Sequence, residues 1–242
     1  MFWTYLLLII LAGLGGGMLP LVFSRFRSGQ VVYLLTFTGA FLFGITILHL
    51  LPEIFADLGE SAGIYIVAGF FLQVFLQQWS HGLEHGHTHV AAPGAHVALS
   101  GLLLGLSIHA FMEGIPLGFR FHDKATLPAL FLGILFHKLP EAFTLATVLL
   151  HQHSGKKKAT VLVLVFAAMT PLAAVLARMA GSVVQGISEL LLYIVAIVAG
   201  AFLHISTTIF FESGTRQHEL NRGKTLSMII GLLLALATRL FE

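Results

Sequence analysis

Two short motifs, each in the middle of an apolar run, place a histidine four residues before a glutamate. His109 precedes Glu113, and His137 precedes Glu141. On an α-helix this spacing puts both side chains on one face, about one turn apart. Two such faces turned toward each other would offer two imidazoles and two carboxylates. The carboxylates would neutralise a divalent cation, and a mixed nitrogen and oxygen donor set suits zinc and its first-row neighbours.

Prolines close to both motifs point to the same use. Pro116 and Pro140 lie in the same apolar runs, and a proline inside a helix leaves the carbonyl four residues earlier without its hydrogen bond. Helices broken in this way at mid-membrane depth are typical of transporter binding sites. One His–Glu pair could equally be a hydrogen bond that joins two helices. Two pairs of identical spacing favour a metal site.

The composition is that of an integral membrane protein. Of the 242 residues, 57% are hydrophobic and only 10% are charged, whereas soluble domains carry about 25% charged residues. The mean hydropathy is +0.93. The absence of cysteine excludes disulfides and thiolate metal ligands, and a formal charge of +2 is too small to indicate nucleic acid binding. The expected partners are the lipid bilayer and a divalent metal ion.

The apolar runs predict an all-α integral membrane protein with eight transmembrane helices. No stretch between them is long enough for a soluble domain, so residues 1–242 are expected to form a single transporter domain. The two His–Glu motifs fall on the fourth and fifth spans, which places the candidate metal site between these helices. The predicted spans are about 2–22, 30–51, 62–79, 97–119, 126–150, 159–179, 189–211 and 225–240.

Basic residues predict how the chain is oriented. With both termini outside, the inner loops hold eight lysine and arginine residues and the outer segments hold four. Positive charge is retained on the cytoplasmic side of membrane proteins, so both termini are expected outside. The compact size and short loops favour the inner membrane of a bacterial cell.

The connection between the third and fourth spans, at 80–96, is rich in histidine and is cytoplasmic in this scheme. It contains no lysine or arginine. Histidine tracts of this kind are a compositional signal of metal binding, and the alternative is a polar linker with incidental histidines. Whether the loop regulates transport is left open. Its candidate ligands are His81, His85, His87 and His89.

Five further polar residues in apolar surroundings are candidates for auxiliary or pathway roles. His49 and Glu53 repeat the spacing at the outer end of the second span, where negative charge would concentrate cations; the alternative is a polar helix end. Lys138 lies mid-span, where charge is costly, and an ion pair within the site is expected rather than a lysine reaching for the interface. His204 and Glu212 lie toward the inner side of the seventh span, where His204 is either an exit ligand or a helix–helix hydrogen-bonding group.

The motifs on the fourth and fifth spans resemble those of the ZIP family of divalent-metal transporters. That family carries His-x-Phe-x-Asp/Glu-Gly on its fourth helix and His-x-x-Pro-Glu or a close variant on its fifth. Here they read His-Ala-Phe-Met-Glu-Gly and His-Lys-Leu-Pro-Glu. The likeness extends to eight spans, outward termini and a histidine-rich cytoplasmic loop. The resemblance implies a ZIP-like bundle in which one group of helices moves against another, and Zn²⁺ as the commonest substrate, with Fe²⁺, Mn²⁺ or Cd²⁺ also carried. It implies as the transport site His109, Glu113, His137 and Glu141.

Two positions depart from family members that hold two metal ions. Ala110 stands where many have Asn or Ser, and Lys138 stands where many have Asp, Asn or Glu. The sixth span, around Pro171, has no acidic residue that could complete a second position. One metal ion per protomer is therefore expected in this site.

The expected function is transport of a divalent cation, with Zn²⁺ as the first candidate, into the cytoplasm by alternating access. Entry would pass Glu53 and His49, and exit would pass His204 toward the histidine-rich loop. No enzymatic activity, cofactor or phosphate-binding loop is expected. The alternative is an intramembrane zinc-dependent hydrolase, which needs three protein ligands and an activated water, and a third option is a metal sensor acting through the loop. The oligomeric state is left open, with a homodimer among the options.

Overall fold

The protein is a bundle of α-helices. The computed structural model describes residues 1–23, 31–80, 99–152, 155–183, 187–212 and 221–241, and no β-strand occurs in these ranges. Six helical stretches of the described chain are long and apolar enough to cross a membrane. They are Phe2–Val22, Val31–Ser80, Leu99–Gly118, Thr126–His151, Lys156–Ser182 and Glu189–Phe210.

The helices of the described ranges begin and end close to the predicted spans. Two short 3₁₀ turns, Gly59–Ser61 and Arg239–Phe241, lie between or after them. Prolines lie inside α1, α5, α6 and α7 without ending any of these helices. The α-helices are α1 (Phe2–Val22), α2 (Val31–Ile45), α3 (Leu51–Leu58), α4 (Ala62–Ser80), α5 (Leu99–Gly118), α6 (Thr126–His151), α7 (Lys156–Val183), α8 (Ile187–Glu212) and α9 (Arg222–Thr238).

The chain between residues 31 and 80 is continuously helical, although the sequence predicted two spans separated by a loop. A π-helical turn, Thr46–Leu50, joins α2 to α3, and the 3₁₀ turn joins α3 to α4. Gly59 at that junction has a φ of +56°, which glycine adopts without a Cβ penalty. This stretch is 50 residues long and α9 has only 17, so the number of eight crossings stays a prediction.

Contacts divide the helices into two groups. We call α1, α5, α6 and α7 the ligand-bearing group: α1 packs against α6 and α7, and α5 packs against α7. We call α2, α3, α4, α8 and α9 the framework group, in which α4 packs against α8 and α2 packs against α9 and α8. The two groups meet chiefly where α2 contacts α6 and where α4 contacts α5, and α8 also contacts α5 and α7. Both predicted ligand helices therefore belong to one group.

Small residues let α5 and α7 approach closely beside the predicted site. A Cβ added at Gly114 would collide with the carbonyl oxygen of Thr170, and one added at Gly118 with that of Ala174. The Thr170 hydroxyl also donates a hydrogen bond of 2.8 Å to the carbonyl of Ala110. Close backbone approach at small residues is the usual way in which membrane helices pack.

The outer surface of the bundle is apolar, as a lipid-facing surface requires. Large hydrophobic side chains of α4 and α9 are about half exposed or more. Since hydrocarbon tails are as apolar as these side chains, their exposure carries no penalty in a bilayer. They include Ile64, Phe71, Phe75, Leu226 and Leu233.

Candidate metal centre

The four residues of the two His–Glu motifs meet in the interior of the bundle. One ligand atom from each lies within 4.8 Å of the others. Exposure is 2% for His109, 1% for Glu113, 0% for His137 and 1% for Glu141. No second group of three or more His, Asp or Glu side chains with this geometry occurs in the described ranges. The structure thus brings together the four residues that the sequence singled out.

The distances within this cluster join α5 to α6. His109 Nε2 lies 3.0 Å from Glu113 Oε1 on its own helix, as the four-residue spacing predicts, and 3.6 Å from Glu141 Oε1 on the neighbouring helix. His137 Nε2 lies 3.8 Å from Glu113 Oε1. The two imidazole rings are perpendicular, with centroids 6.1 Å apart. Two nitrogens and two oxygens therefore face a common point between the helices.

Several polar atoms of the cluster are buried without a hydrogen bond in the described part of the chain. They include Nε2 of His109, both ring nitrogens of His137 and Oε1 of Glu141. An unsatisfied buried polar group costs about 1–3 kcal/mol, and few are left in folded proteins. A cation bound between the four side chains would occupy one nitrogen of each imidazole and one oxygen of each carboxylate, and this donor set of two nitrogens and two oxygens suits tetrahedral Zn²⁺.

Lys138 completes the cluster. Its ammonium Nζ lies 2.6 Å from Glu113 Oε2 and 2.7 Å from Glu141 Oε2, and the side chain is fully buried. The same ammonium lies 4.6 Å from the ring centroid of Phe166 on α7, where the ring face attracts a cation. Each carboxylate therefore directs one oxygen toward an imidazole and the other toward the lysine. The alternative, a lysine side chain that extends to the membrane interface, is not what the structure shows.

Packing around the cluster fixes both ligand helices. On α5, the hydrogen bond from Thr170 holds the carbonyl of Ala110, the residue after His109. On α6, the Leu139 carbonyl lies against Gly16 of α1, where an added Cβ would collide with it. These contacts with α7 and α1 flank the two motifs and so position their side chains.

His49 and Glu53 lie outside the four-residue cluster. His49 Nε2 is 2.8 Å from the hydroxyl of Thr238, at the end of α9. The Glu53 carboxylate, 8% exposed, accepts hydrogen bonds from the backbone N–H groups of His122 and Asp123. Sequence reasoning assigned no role to His122 and Asp123, because no local pattern links the connection between α5 and α6 to a glutamate about 70 positions earlier.

The predicted inner residues are placed only in part. His204 is 7% exposed and its ring packs edge to face on Phe70 of α4, with centroids 5.0 Å apart, so it lies at the α4–α8 interface. The side chain of Glu212 lies outside the described residues, and so does the histidine-rich loop with His81, His85, His87 and His89. The exit and loop roles stay predictions.

Comparisons with known proteins agree with the motifs. Residues 81–238 match the sequence model of the ZIP zinc transporter family. The chain is 29% identical over 200 residues to zinc transporter ZIP9-B of Xenopus laevis, a match that covers 75% of this chain and 65% of that protein. It is 30% identical over 187 residues to zinc transporter ZIP9 of Micropogonias undulatus, covering 72% of this chain and 60% of the relative. The matched region is thus less than two thirds of either relative. The chain belongs to the ZIP zinc transporter family.

Proposed function

We propose that this protein carries divalent metal ions, with Zn²⁺ as the first candidate, across a membrane into the cytoplasm. The observation that carries the proposal is the buried cluster of His109, Glu113, His137 and Glu141, whose ligand atoms lie within 4.8 Å of one another. Family membership and relatives named as zinc transporters support the choice of cargo. Fe²⁺, Mn²⁺ and Cd²⁺ are the other cargoes to test, because nitrogen and oxygen donors do not select zinc alone.

Burial of the site determines how transport must work in this proposal. With each ligand at most 2% exposed, an ion in the cluster reaches neither solution unless helices separate. The ligand-bearing group is the unit that would move, because α1 and α7 pack directly on α5 and α6. Movement of this group against the framework group would open the site first to one side of the membrane and then to the other.

Lys138 sets the number of ions and the charge of the empty carrier. Two buried carboxylates without a counter-charge are very costly in a medium of low dielectric constant, and the ammonium reduces their combined charge from −2 to −1. It also opposes the charge of a divalent ion, which favours release. We therefore propose one ion per protomer, with the ammonium in the place where a second cation would bind.

The remaining assignments of the proposal concern the pathway and the surroundings. Residues 1–242 act as a single domain in a cell membrane, with both termini outside. Ions enter at the end of the bundle near His49 and Glu53 and leave past His204 and Glu212 toward the histidine-rich loop. A homodimer is compatible with this arrangement.

The same cluster suits a zinc-dependent enzyme less well than a transporter. A zinc hydrolase needs an open metal position and a free general base, but the second oxygen of each carboxylate is paired with Lys138. In the described ranges, no second group of three or more His, Asp or Glu side chains has the geometry of a metal site. We therefore propose a transporter rather than an enzyme.

Metal uptake by the purified protein in proteoliposomes tests the proposal. A zinc indicator inside the vesicles should report saturable uptake that protein-free vesicles lack. Competition by Fe²⁺, Mn²⁺ and Cd²⁺ would rank the cargoes. Zinc binding without uptake would contradict transport and favour the sensor or the hydrolase.

A further inference from the structure

Glu53 connects the two groups of helices at one end of the bundle. It lies on α3, in the framework group. Its carboxylate accepts the backbone N–H of His122 at 3.2 Å and also that of Asp123. These residues belong to the connection between α5 and α6, the two helices that bear the candidate ligands. Hydrogen bonds to a charged acceptor are the stronger kind, so this contact ties the ligand helices to the framework.

Asp123 adds a second connection at the same place. Its Oδ2 lies 4.0 Å from His49 Nδ1 and 3.8 Å from Arg239 Nη1, both on the framework side. Arg239 also donates to the carbonyl of Leu48. That carbonyl is the one that Pro52 leaves without its helical hydrogen bond, so the arginine binds the backbone of the π-helical turn between α2 and α3.

A third contact joins the two groups at the surface. His122 Nε2 lies 3.1 Å from Asp57 Oδ1 on α3. Three separate side chains, Glu53 and Asp57 of α3 and His49 of the π-helical turn before it, therefore approach two consecutive residues of the connection. No part of the candidate metal centre takes part in these contacts.

We infer that these contacts form an outer latch, which holds the ligand-bearing group against the framework group and must open before an ion reaches the site from outside. The outer latch consists of Glu53, Asp57, His49 and Arg239 on one side and of His122 and Asp123 on the other. The inference rests on the proposed function and orientation, which put this end of the bundle outside.

Glu53 acts here as a positioning residue rather than as a metal ligand. Both of its oxygens are taken by consecutive backbone N–H groups, and a passing cation would have to break both bonds to bind there. A contact present in only one of two states favours that state by its own free energy. Loss of the Glu53 charge should therefore raise the share of molecules that are open to the outside.

Thiol labelling measures this share directly, because the chain has no cysteine. Ile134 is fully buried in the apolar cluster that α6 shares with α2, one turn before His137. In an Ile134→Cys background, Glu53→Gln should raise labelling by a membrane-impermeant reagent from outside about tenfold, the effect of losing one charge-assisted hydrogen bond in one state. Glu60→Gln, an exposed carboxylate nearby, is the matched control and should change nothing. Equal labelling in both variants would overturn the latch.

Cross-linking provides the opposite test and does not depend on how Glu53→Gln folds. In Asp57→Cys/His122→Cys, a short bis-methanethiosulfonate reagent, which forms reducible disulfides with both thiols, should hold the latch closed. Zinc uptake should stop after cross-linking and return when the link is reduced, while the reagent should leave the uptake of each single variant unchanged. Full uptake by completely cross-linked protein would refute the inference. Absence of uptake in the unmodified protein would instead count against the proposed function, and the labelling result would still stand.

Discussion

Lys138 Nζ lies 2.6 Å from Glu113 Oε2, and neither side chain is more than 1% exposed. The pair joins α6 to α5, so the lysine from one motif neutralises a carboxylate from the other. Glu141 Oε2 lies 2.7 Å from the same ammonium. A charge buried in this way is retained at a cost, which indicates a use in the empty site rather than a contribution to stability.

Replacing Lys138 with alanine is expected to destabilise the empty protein while zinc binding survives. Removing one partner of a buried ion pair costs about 3–5 kcal/mol, because Glu113 and Glu141 lose their counter-charge. Bound zinc supplies that charge, so thermal unfolding should occur at much lower temperature without zinc and recover when zinc is added. Lys158→Ala, in the exposed first turn of α7, is the control. In Lys138→Ala, the return of the empty carrier across the membrane should also be impaired. Net uptake needs this step and should fall, whereas zinc exchange does not need it and should continue.

Replacing Lys138 with an acidic residue provides a stricter test of the same role. Lys138→Asp should bind zinc more tightly or hold a second ion, and should turn over more slowly, because release is then opposed by an added carboxylate. Calorimetry gives affinity and stoichiometry, and uptake gives the rate. Two metal ions bridged by Glu141 in the unmodified protein would rule out the proposed role of Lys138.

Gly114→Ala is expected to weaken both the bundle and transport. The added Cβ would collide with the Thr170 carbonyl and lie 2.9 Å from Ala173 Cβ, so α5 and α7 must separate and carry Glu113 with them. Overpacking of this kind costs about 1–3 kcal/mol. Gly15→Ala on α1 is the matched control, since no atom lies within 4 Å of its added Cβ. Unfolding temperature and uptake should fall in the first variant only, and equal behaviour of the two would contradict the packing argument.

The histidine-rich loop is expected to modulate transport rather than to carry it. Replacing His81, His85, His87 and His89 together by alanine should change the apparent affinity for zinc or its inhibition by internal zinc. Uptake itself should continue, because the four buried ligands remain. A correctly folded variant with no uptake at all would show that the ion pathway runs through the loop.

Orientation is testable with single cysteines in the cysteine-free chain. Lys124 lies exposed on the connection between α5 and α6, and Lys156 begins α7. Lys124→Cys should react with an impermeant reagent applied outside intact cells, and Lys156→Cys should react only after permeabilisation. The opposite pattern would invert the proposed direction of entry.

The geometry of the metal cluster was largely predictable from the sequence, because its pairs are local. Four-residue spacing on a helix brings His109 to Glu113, and three-residue spacing brings Lys138 to Glu141. The meeting of the two helices was suggested by their matching motifs. Residue spacing alone does not predict that each carboxylate directs one oxygen toward an imidazole and the other toward the ammonium. That arrangement depends on how α5 and α6 are rotated about their axes.

The connections at the Glu53 end were not predictable in the same way. Glu53 matched the His–Glu spacing of the metal motifs, and the sequence offered a role on the entry pathway, where its negative charge would concentrate cations. Its bonds to two backbone N–H groups carry no residue-type signal, since any residues at 122 and 123 other than proline would offer them. The continuation of the helix beyond the predicted end of the second span, near residue 51, was missed for a related reason. Pro52 marks a break in the hydrogen bonding, and the Arg239 contact that fills it comes from the other end of the chain.

Zinc uptake by single-ligand variants in proteoliposomes tests the central claim most directly. His109→Ala, Glu113→Ala, His137→Ala and Glu141→Ala each remove one of four donors and leave the rest uncompensated. Each variant should insert normally and show uptake close to that of protein-free vesicles. His151→Ala, at the exposed end of the same α6 helix, should transport at the unmodified rate. Unmodified rates in two or more of the four ligand variants would contradict the assignment of this cluster as the transport site.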